Sequence, residues 1–93
     1  MYATVRTYSG ASGLADELAA RADEVRGVIG DIEGFRGYYL IKTGDGAVTV
    51  SVFDDEAGAE ASTKAAAAYL RDNLPDAAGT PPQVSSGEVL ITI

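Results

Sequence analysis

The stretch Phe35-Arg36-Gly37-Tyr38-Tyr39-Leu40-Ile41-Lys42-Thr43-Gly44-Asp45-Gly46-Ala47-Val48-Thr49-Val50-Ser51-Val52-Phe53 decides the fold. Phe35 to Thr43 and Ala47 to Phe53 are rich in aromatic and β-branched residues, which suit a pleated, half-buried surface. Gly44-Asp45-Gly46 between them is a tight-turn signal. The two runs read as a hairpin. A two-residue Asp45-Gly46 turn pairs Ile41 with Val50, Tyr39 with Val52 and Tyr38 with Phe53, so apolar meets apolar on both faces. A three-residue loop sets Ile41 against Thr49 and mixes the faces, because a one-residue slip turns every side chain over. The two-residue turn is the expectation.

Toward the N-terminus, Tyr2 to Tyr8 reads as a first strand, broken by Ser9 to Gly13. Leu14, Leu18, Ala22, Val25 and Ile29 then recur at helical spacing and draw one stripe. Asp16 and Glu17 favour the positive end of that helix, and Gly34 ends the segment. Toward the C-terminus, Asp54 and Asp55 are N-cap candidates for a helix running to about Asn73. Its expected inner stripe is Ala57, Ala61, Ala65, Ala68 and Tyr69. Pro75 stops it, residues 75–87 read as a loop, and Glu88 to Ile93 as the last strand. The order is βαββαβ. With right-handed crossovers it gives an α+β fold, a ferredoxin-like plait whose four-stranded antiparallel sheet carries both helices on one face. Length predicts one domain over residues 1–93.

The strands alternate, so each has two sets of residues. Val5, Tyr39, Ile41, Val48, Val50, Val52, Val89 and Ile91 form the more apolar set and are expected beneath the helices. The other set holds Tyr2, Arg6, Tyr8, Tyr38, Leu40, Thr49, Ser51, Phe53 and Leu90. A solvated face is mostly polar, and this one is not. Two copies packed sheet to sheet would cover it, making Tyr2, Tyr8, Tyr38, Leu40, Phe53 and Leu90 the dimer face. The alternative is a monomer with scattered exposed apolar residues.

Composition narrows the chemistry. Seven Lys and Arg oppose fourteen Asp and Glu, for a net charge of -7. The basic residues are scattered singly, so nucleic acid is not an expected partner. No apolar run approaches the ~18 residues of a membrane span, and no signal-peptide core precedes the first strand, so a cytoplasmic protein is expected. The chain has no Cys, no Trp and no His. It therefore lacks disulfides, thiolate nucleophiles, Ser-His-Asp chemistry and the commonest zinc and haem ligand.

Several local patterns invite a site. Asp54-Asp55-Glu56 reads as cap and dipole partners, with no metal expected. Gly10-Ala11-Ser12-Gly13 sits where phosphate loops sit, but lacks the following Lys-Ser/Thr. The small residues of the second helix leave either close packing or a ligand cavity beneath it. Tyr39 and Tyr69 are expected at the helix–sheet interface, with Thr7 and Ser62 nearby. A phenol in such a pocket either orients a small apolar or aromatic ligand or is an ordinary core tyrosine.

The segment Glu33-Gly34-Phe35-Arg36-Gly37-Tyr38-Tyr39, with its Gly-Phe step into the second strand, carries a resemblance. So do the strand running into Phe53-Asp54-Asp55-Glu56 and the closing strand Glu88 to Ile93. Together they resemble the dimeric α/β-barrel superfamily and, more narrowly, the antibiotic-biosynthesis-monooxygenase-like domains. The resemblance implies a homodimer with a pocket between helices and sheet in each subunit. It also implies oxidation of phenolic or polyketide-like small molecules with no cofactor, or haem breakdown. The haem-degrading branch uses an axial histidine, a tryptophan and an asparagine. The first two are absent, and Asn73 matches no functional position. No catalytic residue is carried over. The alternative function is a non-catalytic dimeric module that binds a small ligand or mediates interaction.

Overall fold

A computed structural model of the chain describes residues 1–75 and 81–93. The expected hairpin is formed by β2 (Phe35–Lys42) and β3 (Gly46–Phe53). Its register is two residues from the expected one, pairing Ile41 with Val48, Leu40 with Thr49 and Tyr39 with Val50. The turn has two residues, but they are Gly44 and Asp45: the Thr43 amide donates to the Gly46 carbonyl at 3.1 Å. A slip of two residues leaves every side chain on its own face, so alternation alone does not detect it. Gly46 decides the matter. A Cβ there would lie 2.0 Å from the Tyr8 carbonyl oxygen, so this glycine is required inside the sheet, opposite Ser9, and not in the turn.

β1 (Tyr2–Ser9) runs antiparallel between β3 and β4 (Gln83–Glu88), giving the order β2-β3-β1-β4. The last strand lies earlier than the expected Glu88–Ile93. The β1 ladder starts at Tyr2 opposite Glu88, and the Val89 amide closes it on the Met1 carbonyl at 2.9 Å. Residues after Val89 are therefore past the end of the ladder. Of the loop expected over 75–87, residues 76–80 lie outside the described residues and 83–87 are strand.

The expected first helix is two helices, α1 (Leu14–Ala20) and α2 (Ala22–Gly30), broken at Arg21, whose φ of -111° and ψ of 29° leave the helical region. The break lets Leu14 and Leu18 join one core cluster with Tyr8, Ala47 and Leu70, while Ile29 joins another with Phe53 and Ala59. α3 (Glu56–Asn73) starts as expected, with the Asp55 carboxylate accepting from the Gly58 amide at 3.1 Å. Its buried residues are Gly58, Ala59, Ser62 and Leu70, whereas Ala57 and Ala61 are exposed. The stripe is thus rotated from the expected one. Gly58 sets that rotation, because a Cβ there would lie 2.8 Å from the Phe53 ring.

The largest correction concerns the faces of the sheet. Tyr8, Thr4, Arg6, Thr49, Ser51 and Phe53 are buried beneath the helices, with Tyr2, Tyr38 and Leu40 packed beside them. These include five of the six residues expected on the dimer face. The sixth, Leu90, lies past β4 and is 85% exposed. The more apolar set faces away: Val5, Tyr39 and Ile41 are exposed, and Val48, Val50 and Val52 are half-buried. Val89 and Ile91 lie past β4 rather than under a helix. The reason is hydrogen bonding. Buried polar groups are tolerated where they satisfy one another, and Arg6 of β1 does so with Thr49 and Ser51 of β3 and with Ser62 and Thr63 of α3. Among the described residues no helix is long and apolar enough to cross a membrane.

Candidate functional site

Arg6 sits at the middle of the central strand and is 1% exposed. Its partners come from two elements. Nη1 donates to Ser51 Oγ at 3.0 Å and, at a longer 3.5 Å, to Thr49 Oγ1 on β3. Nη2 donates to Ser62 Oγ at 2.7 Å and Thr63 Oγ1 at 3.0 Å on α3. Both α3 hydroxyls pass their own protons to the Ala59 carbonyl. Four hydroxyls therefore hold the guanidinium, and no carboxylate among the described residues pairs with it. Burial lowers its pKa from the ordinary arginine value, with the neighbouring Tyr8 and Tyr38 acting the other way.

A cavity of about 410 Å³ lies between α1, α2 and β2, walled by Leu18, Ala22, Val25, Ile29, Tyr38 and Leu40. Arg26 stands at its rim, its side chain 75% exposed and paired with Asp23. A recess of about 20 Å³ shares Leu18, Val25, Ile29 and Tyr38 with that cavity and adds Tyr8, Thr49 and Tyr69. That volume takes about one oxygen-sized group. Both are mostly apolar, as small-molecule pockets usually are, and the recess counts Tyr8, Tyr38, Tyr69 and Thr49 among its walls. The Tyr69 hydroxyl is buried without a partner among the described residues. Burial raises the Tyr8 phenol, and the Arg6 charge partly offsets this. Burial also pushes Tyr38 up to about 12, helped by Tyr8 and opposed by Arg6 and the Thr49 hydroxyl. Both phenols are therefore neutral donors at ordinary pH.

Of the four residues expected in a ligand pocket, the structure brings one to the cavity system: Tyr69 lines the recess. Ser62 is buried, but as a partner of Arg6. Tyr39 is 63% exposed on the outer face, and Thr7 shares that face opposite Val48. The cavity lies against α1 and α2, not beneath α3 as the small residues of α3 suggested. Arg6, Tyr8, Tyr38 and Thr49 were not expected as site residues. Their signal was present: Arg6 and Thr49 are cross-strand partners on the same face as Tyr8 and Ser51. The acidic run has other work. Asp55 caps α3, Asp54 pairs with Arg36 and Glu56 accepts from the Tyr2 hydroxyl at 2.9 Å.

This geometry can be set against known proteins. Residues 1–69 match the family model described as antibiotic biosynthesis monooxygenase. The chain belongs to that family. A comparison with curated proteins returns no match. Among solved structures, the haem degrader MhuD of Mycobacterium tuberculosis, with two haems bound in its active site, is similar at a TM-score of 0.71 and 16% identity; the match covers 100% of this chain and 99% of that one. The monooxygenase from the ActVA-Orf6 gene of Streptomyces coelicolor, solved with nanaomycin D, has a TM-score of 0.63 and 20% identity over 98% of this chain and 91% of that one. The NE2512 protein of Nitrosomonas europaea, described as of unknown function, has a TM-score of 0.70 and 25% identity over 99% and 90%. These likenesses establish a small monooxygenase-like fold.

The residues of this family member do not fit a haem. A haem iron takes His, Cys, Met or a tyrosinate. The chain has no His or Cys, its one methionine, Met1, is not among the residues lining the cavity, and Tyr38, the phenol on the cavity wall, is held neutral by burial.

Proposed function

We propose that the chain is a small monooxygenase-like enzyme that oxidises a phenolic or polyketide-like molecule without a cofactor. The cavity between α1, α2 and β2 is its site. The observation that carries this reading is the pairing of an apolar cavity of about 410 Å³ with a recess lined by three tyrosines and a threonine. A ring system fits the first, and one of its oxygens the second. The balanced reaction is a phenol plus molecular oxygen giving a quinone plus water. The ring carbon opposite the hydroxyl gains one oxygen atom, the second leaves as water, and the substrate supplies all four electrons. No external reductant is required.

Such a reaction starts best from the ionised substrate, whose electron density is higher. No carboxylate lines the cavity or the recess among the described residues, and the Tyr8 and Tyr38 phenols are neutral. Ionisation is therefore favoured by stabilising the anion, with neutral hydroxyls as donors and Arg6 as the nearby positive charge. Oxygen-electrode measurements with a panel of phenols and anthrone-like tricycles test the reading. Uptake should appear, and Tyr69→Phe and Tyr38→Phe should each reduce turnover severalfold while the exposed Tyr39→Phe leaves it unchanged. If no member of the panel consumes oxygen, the non-catalytic ligand-binding module is the better reading.

The same proposal includes a homodimer, now through the other face of the sheet. Val5, Tyr39 and Ile41 are exposed there beside Val48, Val50 and Val52. Covering an exposed Val or Ile contributes about 1.5–3 kcal/mol each. A light-scattering mass of one chain, 9.6 kDa, at micromolar concentration would overturn this part.

A further inference from the structure

Arg6 is a buried cation on the covered face of the sheet. A buried charge without a counter-charge is among the costlier features a fold can carry, and a neutral apolar residue in its place is often tolerated or better. Here the guanidinium is 1% exposed, in a chain of net charge -7, and yet among the described residues it pairs only with hydroxyls. Two buried polar side-chain atoms lack a partner among the described residues, Arg6 Nε and the Tyr69 hydroxyl. The first belongs to the buried cation and the second to a residue that lines the recess. Thr49 joins the two regions: it accepts from Arg6 Nη1 and also lines the recess. Having accepted, its hydroxyl has one proton to donate, which can turn to the Tyr38 oxygen or to a ligand in the recess.

We propose that Arg6 makes the recess selective for an anionic oxygen, so that the cavity binds small aromatic ligands carrying an ionised oxygen in preference to their neutral analogues. The inference rests on the cavity being a ligand site. The ligand's ring occupies the apolar cavity, and one charged oxygen enters the recess. That oxygen accepts from the Thr49 and Tyr69 hydroxyls, with the Arg6 charge directly behind Thr49. A water molecule in the recess would satisfy the hydroxyls but leave the guanidinium without a counter-charge. An oxygen anion answers both needs.

The test uses 2-naphthoate and 2-naphthamide, which share a ring and differ in charge. NMR titrations of the full chain at neutral pH give both dissociation constants. 2-Naphthoate should bind at least tenfold more tightly, and it alone should shift the Arg6 Nε–H resonance. Arg6→Met should abolish the preference by weakening naphthoate and sparing naphthamide. Thr49→Val should reduce it in the same sense, so the proposal stays testable if the arginine variant does not fold. Equal affinities in the unsubstituted protein, or a preference that survives Arg6→Met, overturn the charge selection and leave the cavity reading intact. If neither probe binds, both readings fall.

Discussion

The two faces of the sheet solve opposite problems. The face under the helices is polar at its centre, where Arg6, Thr49 and Ser51 are buried and Arg6 bonds to β3 and to α3. The open face is a field of valines with Tyr39 and Ile41. Ordinary patterning would place these the other way round. The inversion teaches that covering follows where polar groups find partners as well as where apolar area is greatest. Ser62 and Thr63 on α3 give the polar face its partners, and nothing on the described chain covers the valines.

The largest effect that would sharpen this contrast is expected at Phe53, which is fully buried on the covered face. Phe53→Ala should cost about 3–5 kcal/mol in urea unfolding. A loss of under about 1 kcal/mol would mean that the covered face does not hold the core. Next comes alkali. The Tyr38 phenol titrates at about 12 in the folded chain against 10.0 when unfolded. The unfolded chain thus releases its proton first as pH rises. The stability that Tyr38 contributes is fully present below pH 10 and is lost toward pH 12, by about 2–3 kcal/mol. Tyr38→Phe should flatten that fall, and a variant with the wild-type slope would assign it elsewhere.

Ser62→Ala removes one acceptor from a buried cation and should cost about 2 kcal/mol. Ser62→Thr should restore much of it if the added methyl is accommodated. A neutral Ser62→Ala would show that the guanidinium is not held as described. Smallest, for one chain alone, is Val50→Thr on the open face, at under about 0.5 kcal/mol in dilute protein. A larger, concentration-dependent loss is expected once a second copy covers that face, so unfolding at two protein concentrations separates the cases.

The order of elements was legible because it depends on local chemistry. The hairpin glycines, the Asp55 cap and the aromatic and β-branched runs each act within a few residues. The faces were not legible, because Val50 and Thr49 alternate whichever way the sheet is turned. What settles the matter is α3, whose Ser62 and Thr63 lie more than fifty positions from Arg6. The hairpin register failed for a related reason. Gly46 is placed by the Tyr8 carbonyl, a neighbour across the sheet and not along the chain. The last strand was sought in Glu88–Ile93 for its apolar residues, whereas the ladder of β1 selects Gln83–Glu88. The site suffered most. Tyr69 does line the recess, but Arg6 looks like an ordinary surface residue until the strand is turned inward.

The break at Arg21 bears on how a molecule could reach the cavity at all. It leaves α1 with seven residues and α2 with nine, each shorter than an isolated helix needs in water. Ile29 is the one residue of α2 that is buried. The wall over the cavity therefore borrows its order from a few contacts, while the central strands β1 and β3 are tied on both sides. In amide exchange, α2 should trade its hydrogens for deuterium well before β1 and β3 do. Filling the cavity should slow α2 selectively, turning its exchange rate into a gauge of occupancy that needs no knowledge of the chemistry inside.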